Sequence, residues 1–346
     1  MGGSATKILV IDLLYLGDLI FATPFFRNLR KNHPQARIDL VANANFVGII
    51  EDNPHLDNIY AYDKEWSIRQ SWDFAKEVGK NNYDLGFNIH GNWRTALLLR
   101  VINPTYSVGY GGKGRGIFLF KELPRREDGH MVENYLAFLE DLDLEIKDQA
   151  GVEIHWDSEA EANMEAWLKE KGLTVQKLVA LNTGGSWATK RWTKQKFAEL
   201  GDRLAEEYSC QVLFLGGPGD VERVEEIVEM METKPVIAVG ETTIKELAAL
   251  TSKCELVISG DTGPVHVAAG VGTPVVTLFG PSDEQKYRPY SEQSVVVKKE
   301  LQCRPCGEHE CPQDHHRCMR LIEVDEVLAA IEEQRFLGKD LKSLSG

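Results

Sequence analysis

Short apolar segments alternate with helical segments along most of this chain, and this alternation restricts the possible folds more than any other feature. Lys7–Asp12, 178–182 and 256–259 are examples of the apolar segments, and each is followed by a loop rich in Gly, Ser, Thr or Asp. Strands that alternate with helices form parallel sheets, so the pattern predicts an α/β protein. Ligands of such sheets bind outside the carboxyl ends of the strands, which makes these loops the expected binding sites.

The alternation runs through the chain twice. It is lost near residues 148–151, and a charged helical segment over 158–171 leads into the second series. The length of 346 residues is about twice that of an ordinary domain. We therefore predict one domain over 1–155, a second over 156–322, and a helical tail over 323–346 that packs back on the first domain.

Charge excludes a general nucleic-acid binder. The chain has 39 Lys and Arg against 53 Asp and Glu, a formal net charge of −14, which repels a polyanion. Residues 85–126 are an exception, because this segment contains seven basic residues and a single acidic one, Glu122. The seven are Arg94, Arg100, Lys113, Arg115, Lys121, Arg125 and Arg126. This surplus predicts either a solvated surface or a site for an anionic ligand.

The segment Ser259–His266 reads Ser-Gly-Asp-Thr-Gly-Pro-Val-His, which is typical of a strand end, a glycine turn and a helix with proline in its first turn. The free N–H groups at such a helix start bind phosphate well. Asp261 is either part of a ligand site there or a plain helix cap. We favour the ligand site because Thr262, Gly263 and His266 accompany the aspartate.

Two further loops follow strands in the second half. Lys190 lies in a Gly- and Ser-rich loop and is either a surface residue or a cation that neutralises a pyrophosphate. Asp220 ends the loop Gly-Gly-Pro-Gly-Asp and could accept ribose hydroxyls, as acidic residues do in dinucleotide folds. Neither loop is a Walker motif. In the first half, Asp18 follows the first strand and precedes a helix, where it is either a cap or a proton acceptor.

Taken together, these motifs resemble glycosyltransferase family 9, the ADP-heptose:lipopolysaccharide heptosyltransferases. The resemblance runs in order from about residue 7 to about residue 330. The segments that carry it are Lys7–Ile11 with Gly17-Asp18-Leu19 and Thr23-Pro24, Lys190-Arg191-Trp192, Ser259–Gly263 with His266, and Phe279–Asp283.

The resemblance implies a GT-B fold, with two Rossmann-like domains facing across a cleft, the acceptor in the first and the nucleotide sugar in the second. It places the general base at Asp18 and the pyrophosphate-contacting lysine at Lys190. It implies further donor contacts at Ser186, Asp220, Thr242, Asp261, Thr262, Gly263 and His266. The basic segment then becomes a candidate acceptor site through Arg94, Lys113 and Arg115.

The implied reaction is inverting transfer of heptose from ADP-heptose to the lipopolysaccharide inner core, without a metal or other cofactor. The lipid acceptor implies transient contact with the inner membrane, so we expect a cytoplasmic protein that is peripheral to that membrane and binds no nucleic acid. The alternatives are a transferase for another nucleotide sugar and a non-catalytic nucleotide-binding relative.

Four cysteines lie within sixteen residues, at Cys303, Cys306, Cys311 and Cys318. Close cysteines in a cytoplasmic protein suggest a metal before a disulfide. Structural zinc or a cluster, thiols that pair on purification, and reduced structural cysteines all remain open interpretations.

Overall fold

The computed structural model describes residues 6–112, 114–124, 126, 128–173 and 176–338. The chain divides into two compact units, Met1–His155 and Trp156–Gly346. Each unit contains one six-stranded parallel sheet with helices on both of its faces.

The sheet of the first unit has the strand order β3-β2-β1-β4-β5-β6, and every pair is parallel. Its strands are β1 (Lys7–Asp12), β2 (Arg37–Asn43), β3 (Asn58–Tyr62), β4 (Leu85–Asn88), β5 (Tyr106–Tyr110) and β6 (Lys121–Leu123). Its helices are α1 (Leu16–Phe21), α2 (Thr23–Asn32), α3 (Ile68–Gly79), α4 (Trp93–Ile102) and α5 (Met131–Glu140). This is the Rossmann strand order, in which the connection direction reverses between β1 and β4.

Both faces of the first sheet are buried, which is why its central strands are almost continuously apolar. On one face Leu9 and Ile11 pack with Ala75 and Val78 of α3 and with Leu98 and Leu99 of α4. On the other face an aromatic cluster joins α2, β4 and α5 through Phe25, Phe87 and Phe138, whose ring centroids lie 5.7–6.5 Å apart.

The sequence predicts a single helix over residues 18–31, but the structure has two. Helix α1 ends at Phe21 and α2 begins at Thr23, with Ala22 between them. Pro24 lies in the first turn of α2. A proline has no N–H to donate and is tolerated only near a helix start, so the chain begins a new helix there.

The second unit repeats the topology with the order β12-β11-β10-β7-β8-β9, again all parallel. Its strands are β7 (Leu178–Asn182), β8 (Gln211–Leu215), β9 (Val236–Ile237), β10 (Leu256–Gly260), β11 (Val275–Phe279) and β12 (Ser294–Lys298). Its helices are α6 (Ser158–Glu170), α7 (Lys194–Tyr208), α8 (Val221–Val228), α9 (Ile244–Thr251), α10 (Gly263–Val271), α11 (Glu284–Tyr287), α12 (Arg317–Arg320) and α13 (Val324–Gln334). The reversal point lies between β7 and β10.

The segment predicted to be a tail on the first domain is part of the second unit. Val324, Val327, Leu328 and Ile331 of α13 are buried in the same core cluster as side chains of β7 and α7. The reason is that α13 has a continuous apolar face, and that face covers β11 and β12. The second unit therefore extends at least to residue 338, the last one that the structure describes.

Within the described ranges, no helix combines the length and the apolar character that crossing a membrane requires.

Candidate active site

Each unit has a group of polar side chains at the point where its strand order reverses. In the first unit the loops after β1 and β4 meet there, and the Leu13 N–H donates to His90 Nδ1 at 3.1 Å. In the second unit the loops after β7 and β10 meet, and Asn182 Nδ2 donates to Ser259 Oγ at 2.8 Å. Reversal points are the usual ligand sites of open parallel sheets, so both groups are candidate sites.

Asp18 lies in the first turn of α1, as the sequence predicts. Its Oδ2 accepts a hydrogen bond from the Tyr15 N–H at 3.2 Å, so the carboxylate does cap the helix start. The side chain is only partly buried. The positive end of the helix dipole favours a negative charge in this first turn. The capping role and a role as proton acceptor are therefore compatible.

Asp12, which the sequence analysis did not select, is a second carboxyl group next to Asp18. It ends β1 and is completely buried. Its Oδ1 accepts from the Leu14 N–H at 3.0 Å, and the Tyr135 hydroxyl lies 3.4 Å from its Oδ2. Burial, and then the charge of Asp18, raise the pKa of Asp12 to about 7. The available signal was a charged residue at the end of an otherwise apolar strand.

Lys64 brings a positive charge to the two carboxyl groups. Burial lowers its pKa, and the charges of Asp12 and Asp18 oppose that shift. Its Nζ lies 4.8 Å from the centre of the Tyr15 ring. Arg94 Nη1 donates to the Lys64 carbonyl at 2.7 Å, which places this predicted acceptor residue beside the same group. No sequence motif marked Lys64, because it lies 46 residues beyond Asp18 and only the fold brings them together.

The other two predicted acceptor residues are not both described. Arg115 begins the 3-10 turn Arg115–Phe118, and Lys113 lies outside the described residues. His90 is a further polar group at this edge, and the Asn92 amide nitrogen lies 2.7 Å from its Nε2.

In the second unit, the structure brings three of the predicted donor-site residues together. Lys190 Nζ lies 2.7 Å from Asp261 Oδ2, and His266 Nε2 lies 3.7 Å from Asp261 Oδ1. Asp261 is nearly buried. Burial alone would raise its pKa, but His266 and Lys190 outweigh burial and hold the pKa at about 2. The site therefore has a permanent carboxylate that fixes two basic side chains.

The start of α10 lies beside this cluster. Thr262 is the N-cap residue, but its side chain makes no capping bond. Its Oγ1 instead receives Asn182 Nδ2 at 2.9 Å and lies 3.0 Å from Ser259 Oγ. The backbone N–H groups of the first turn therefore have no side-chain cap and, with the helix dipole, form a site suited to an anion.

The Lys190 loop is held from two sides. A Cβ atom at Gly260 would lie 2.7 Å from the Lys190 carbonyl oxygen, so a glycine is needed for this close approach of the loop to β10. On the other side, the ring of Trp187 lies under Lys190 Nζ at 4.4 Å and stacks on His309 with a centroid distance of 3.9 Å.

Thr189 ties the same loop to the cysteine-rich segment 303–318. Its Oγ1 donates to the Glu308 carbonyl at 2.9 Å, and its own carbonyl lies 2.6 Å from His316 Nε2. The His316 N–H in turn donates to Cys311 Sγ at 3.4 Å and lowers the pKa of that thiol. This segment therefore contributes structural support to the candidate donor site.

The remaining predicted donor residues lie in neighbouring loops. Asp220 ends a 3-10 turn, and its Oδ2 accepts from the Gly217 N–H at 3.0 Å. It also lies against Gly184, where a Cβ atom would come within 2.4 Å of Oδ1. Ser186 is exposed in the Lys190 loop, and Thr242 is partly buried just before Thr243, the N-cap of α9.

A metal site at the four cysteines, one of the interpretations left open above, does not appear. Among the residues that the structure describes, no three His, Cys, Asp or Glu side chains are arranged to hold a metal ion. Cys318 is buried on α12 in the core of the second unit, whereas Cys306 is exposed. Burial, and then the neighbouring thiols of Cys306 and Cys311, raise the pKa of Cys318, so the cysteines lie near one another. All four are free thiols.

Comparison with known proteins decides the family. The sequence profile described as Glycosyltransferase family 9 (heptosyltransferase) matches residues 71–316. The chain belongs to this family. It is 29% identical to lipopolysaccharide heptosyltransferase 3 of Escherichia coli (strain K12), over 92% of this chain and 95% of that protein.

Solved structures agree with this assignment. A glycosyltransferase family 9 protein from Veillonella parvula superposes with a TM-score of 0.87 at 30% identity, over 95% of this chain and 97% of the other. The E. coli ADP-heptose lipopolysaccharide heptosyltransferase II superposes with a TM-score of 0.79 at 22% identity, over 95% and 98%. The predicted GT-B fold is confirmed, and the protein is a glycosyltransferase of the lipopolysaccharide heptosyltransferase type.

Proposed function

We propose that this enzyme transfers heptose from ADP-heptose to the inner core of lipopolysaccharide, with inversion at the anomeric carbon. The observation that carries the proposal is the group formed by Lys190, Asp261 and the start of α10 at the reversal point of the second sheet. The similarity to the E. coli ADP-heptose lipopolysaccharide heptosyltransferase II supports the choice of donor and acceptor.

The second unit binds the donor in this proposal. The departing ADP gains negative charge on its pyrophosphate, and Lys190 together with the N–H groups at Thr262 and Gly263 stabilises that charge. Asp261 holds Lys190 and His266 in place, since its lowered pKa keeps the carboxylate ionised near neutral pH. Ser186, Asp220 and Thr242 contribute further contacts to the ADP-sugar.

The first unit binds the acceptor. Asp18 takes the proton from the attacking hydroxyl, a role that its partial exposure allows. Arg94, Lys113 and Arg115 contact the acidic groups of the acceptor, and Lys64 adds a cation beside Asp18. These groups and the helix start supply the charge that the reaction needs, so the proposed mechanism uses no metal or other cofactor. The lipid acceptor places the enzyme in the cytoplasm, peripheral to the inner membrane.

A nucleotide screen tests the donor. We expect ADP to raise the melting temperature more than UDP, GDP or CMP do, with no divalent cation added. Lys190→Ala should remove most of this ADP effect, which makes it the matched control. Stabilisation by UDP alone, or only with magnesium, would assign the protein to a different donor.

A transfer assay tests the acceptor and turnover. We expect the wild-type protein to add heptose to lipopolysaccharide that lacks core heptose, with mass spectrometry of the product as the readout. Binding of ADP without transfer to any core acceptor would favour a non-catalytic nucleotide-binding relative instead.

A further inference from the structure

Exposed apolar side chains are concentrated on one part of the first unit. Of the twelve large hydrophobic side chains that are exposed in the described parts of the chain, seven lie between residues 68 and 120. Ile68 is 86% exposed, Ile117 76% and Phe120 67%, and two tryptophans, Trp72 and Trp93, are each about half exposed. Single exposed hydrophobics are ordinary, but a group of this size marks an interaction surface.

The fold makes these side chains neighbours. Ile68 and Trp72 lie four residues apart on α3, as do Trp93 and Leu97 on α4, and each pair therefore lies on one side of its helix. Helices α3 and α4 pack side by side, and α4 also packs on the turn Arg115–Phe118. The Trp93 and Phe118 rings are 5.4 Å apart, and Tyr106 and Phe120 are 5.0 Å apart. We call the seven exposed side chains of this region the apolar patch: Ile68, Trp72, Trp93, Leu97, Tyr106, Ile117 and Phe120.

Part of the apolar patch lies at the edge of the sheet that carries Asp18, whereas Tyr106 and Phe120 lie at the amino ends of β5 and β6. Helices α3 and α4 follow β3 and β4, so their first turns, which hold Ile68 and Trp93, begin at the carboxyl edge. Arg94, the neighbour of Trp93, contacts the Lys64 carbonyl in the candidate acceptor site. Whatever covers the patch therefore lies close to the bound acceptor.

The charge on the α4 side of the patch is positive although the whole chain is acidic, whereas residues 63–80, which include α3, carry four basic and four acidic side chains. Residues 85–121 contain no Asp or Glu, and Arg94 and Arg100 project from α4. On α3, Arg69 is exposed and Lys76 lies 5.5 Å over the ring of Trp72, with Asp73 as the nearest acidic neighbour. Glu122 is exposed and accepts the Gly112 N–H at 2.6 Å.

We propose that the apolar patch docks this enzyme on an anionic phospholipid surface, with Ile68, Trp72, Trp93, Leu97, Ile117 and Phe120 entering the headgroup region. The inference rests on the proposed function, because the lipid-linked acceptor presents its sugar at such a surface. Tryptophans beside basic residues are typical of the membrane interface. Binding of this kind scales with apolar area and with attraction to anionic lipids.

Vesicle co-sedimentation tests the proposal. We expect the wild-type protein to bind vesicles of phosphatidylethanolamine and phosphatidylglycerol, and to bind vesicles of phosphatidylcholine more weakly. The double variant Ile117→Ser/Phe120→Ser, and separately Ile68→Ser/Trp72→Ser, should lower the partition coefficient by about 10-fold or more, since each removes two apolar side chains from the interface. Added salt should weaken wild-type binding.

The second unit offers a matched control. Met230→Ser/Leu321→Ser removes two apolar side chains of the second unit that are 46% and 43% exposed, and its vesicle binding should equal that of the wild type. Equal binding by all variants, or no binding by the wild type, would overturn the proposal. Loss of a dimer in the patch variants without any vesicle dependence would also overturn it, in favour of contact between two copies.

Two further readouts separate this inference from the proposed function. The patch variants should keep the ADP-induced rise in melting temperature, and they should keep transfer to a delipidated core oligosaccharide. Vesicle binding with no heptose transfer by the wild type would contradict the proposed function and leave the docking surface standing.

Discussion

Asp18 bonds to the start of its helix and, in the proposed mechanism, also takes the acceptor proton, and a single substitution separates the two roles. Asp18 is the N3 residue of a capping box, and the side-chain oxygen of an asparagine there can also accept the Tyr15 N–H, so Asp18→Asn should melt within a few degrees of the wild type. As the proposed general base, however, Asp18 should contribute about 10²–10⁴-fold to turnover. We therefore expect normal ADP binding and transfer that is at least ~100-fold slower. The measurements are a melting curve, an ADP shift and a transfer rate.

If Asp18→Asn transferred heptose at nearly the wild-type rate, Asp18 would be a cap only. Asp18→Ala is the control for the hydrogen bond to Tyr15, because losing that bond should lower stability by about 1 kcal/mol as well as activity.

Asp12 should make the folded protein less stable as the pH rises, which is the opposite of the usual effect of a carboxyl group. Its pKa rises from 3.8 to about 7 in the folded protein, so between these values the folded state holds a proton that the unfolded chain has released. Stability from this group is therefore lost as the pH rises through that window. An asparagine side chain does not titrate, and its oxygen can still accept the Leu14 N–H. We expect Asp12→Asn to exceed the wild type in melting temperature above pH 7, and the difference to shrink towards pH 4.

The control for this comparison is a carboxyl group whose pKa is lowered by folding. The pKa of Asp148 is lowered to about 2 by Lys31 and the Ala150 N–H. Asp148→Asn should therefore be less stable than the wild type above pH 4. A melting temperature of Asp12→Asn that tracked the wild type at every pH would show that Asp12 is not protonated in the folded protein.

At the scale of elements, the loop 183–190 and the segment 303–318 act as one support for Lys190. Trp187 lies between Lys190 and His309, and Thr189 is bonded to Glu308 and His316. Lys190→Ala should lower turnover by about 10²-fold or more, as loss of one preorganised donor does. Trp187→Ala should lower turnover by a smaller factor, because the Lys190 ammonium group is still present but no longer packs on the Trp187 ring.

Trp187→Phe is the conservative control, since it keeps a ring that can stack and should recover most of the turnover. The melting temperature should change little in the two Trp187 variants, because Trp187 lies outside the described core clusters. Lys190→Ala should also lower the melting temperature, because it removes an ion-pair partner of the buried Asp261 carboxylate. Full activity of Trp187→Ala would show that the stack does not position Lys190.

The same scale shows why some elements were predicted from the sequence and others were not. The strands at the centre of each sheet are apolar throughout and are predicted correctly, as β1, β7 and β10 show. Strand β3 (Asn58–Tyr62) is only partly buried, and the three-residue β6 lies at the sheet edge, so neither has a strong apolar pattern. Edge position, which only the assembled sheet defines, removes that signal.

At the scale of the whole molecule, the sequence predicts sites better where a loop carries several polar residues together. The Ser259–His266 turn and the Lys190 loop are of this kind, and the structure brings Lys190 to Asp261. Asp12 and Lys64 were missed because each is a single polar residue whose surroundings depend on folding. The position of α13 was missed because its apolar face alone does not indicate which sheet it covers.

The second unit should fold without the first, and α13 decides where it must end. A fragment of residues 156–346 contains both core clusters of this unit and every proposed donor residue. We expect it to melt cooperatively and to be stabilised by ADP, but not to transfer heptose. A fragment of residues 156–322 lacks Val324, Val327, Leu328 and Ile331, which are buried in that core.

Burial of an aliphatic side chain contributes about 1.5–3 kcal/mol, so the shorter fragment loses on the order of 6–12 kcal/mol. A domain is stable by only about 5–15 kcal/mol, and this loss is therefore enough to unfold it. Circular dichroism melts of the two fragments, with and without ADP, make the comparison. A folded 156–322 fragment that binds ADP would show that α13 is dispensable and that the second unit ends where the sequence placed its boundary.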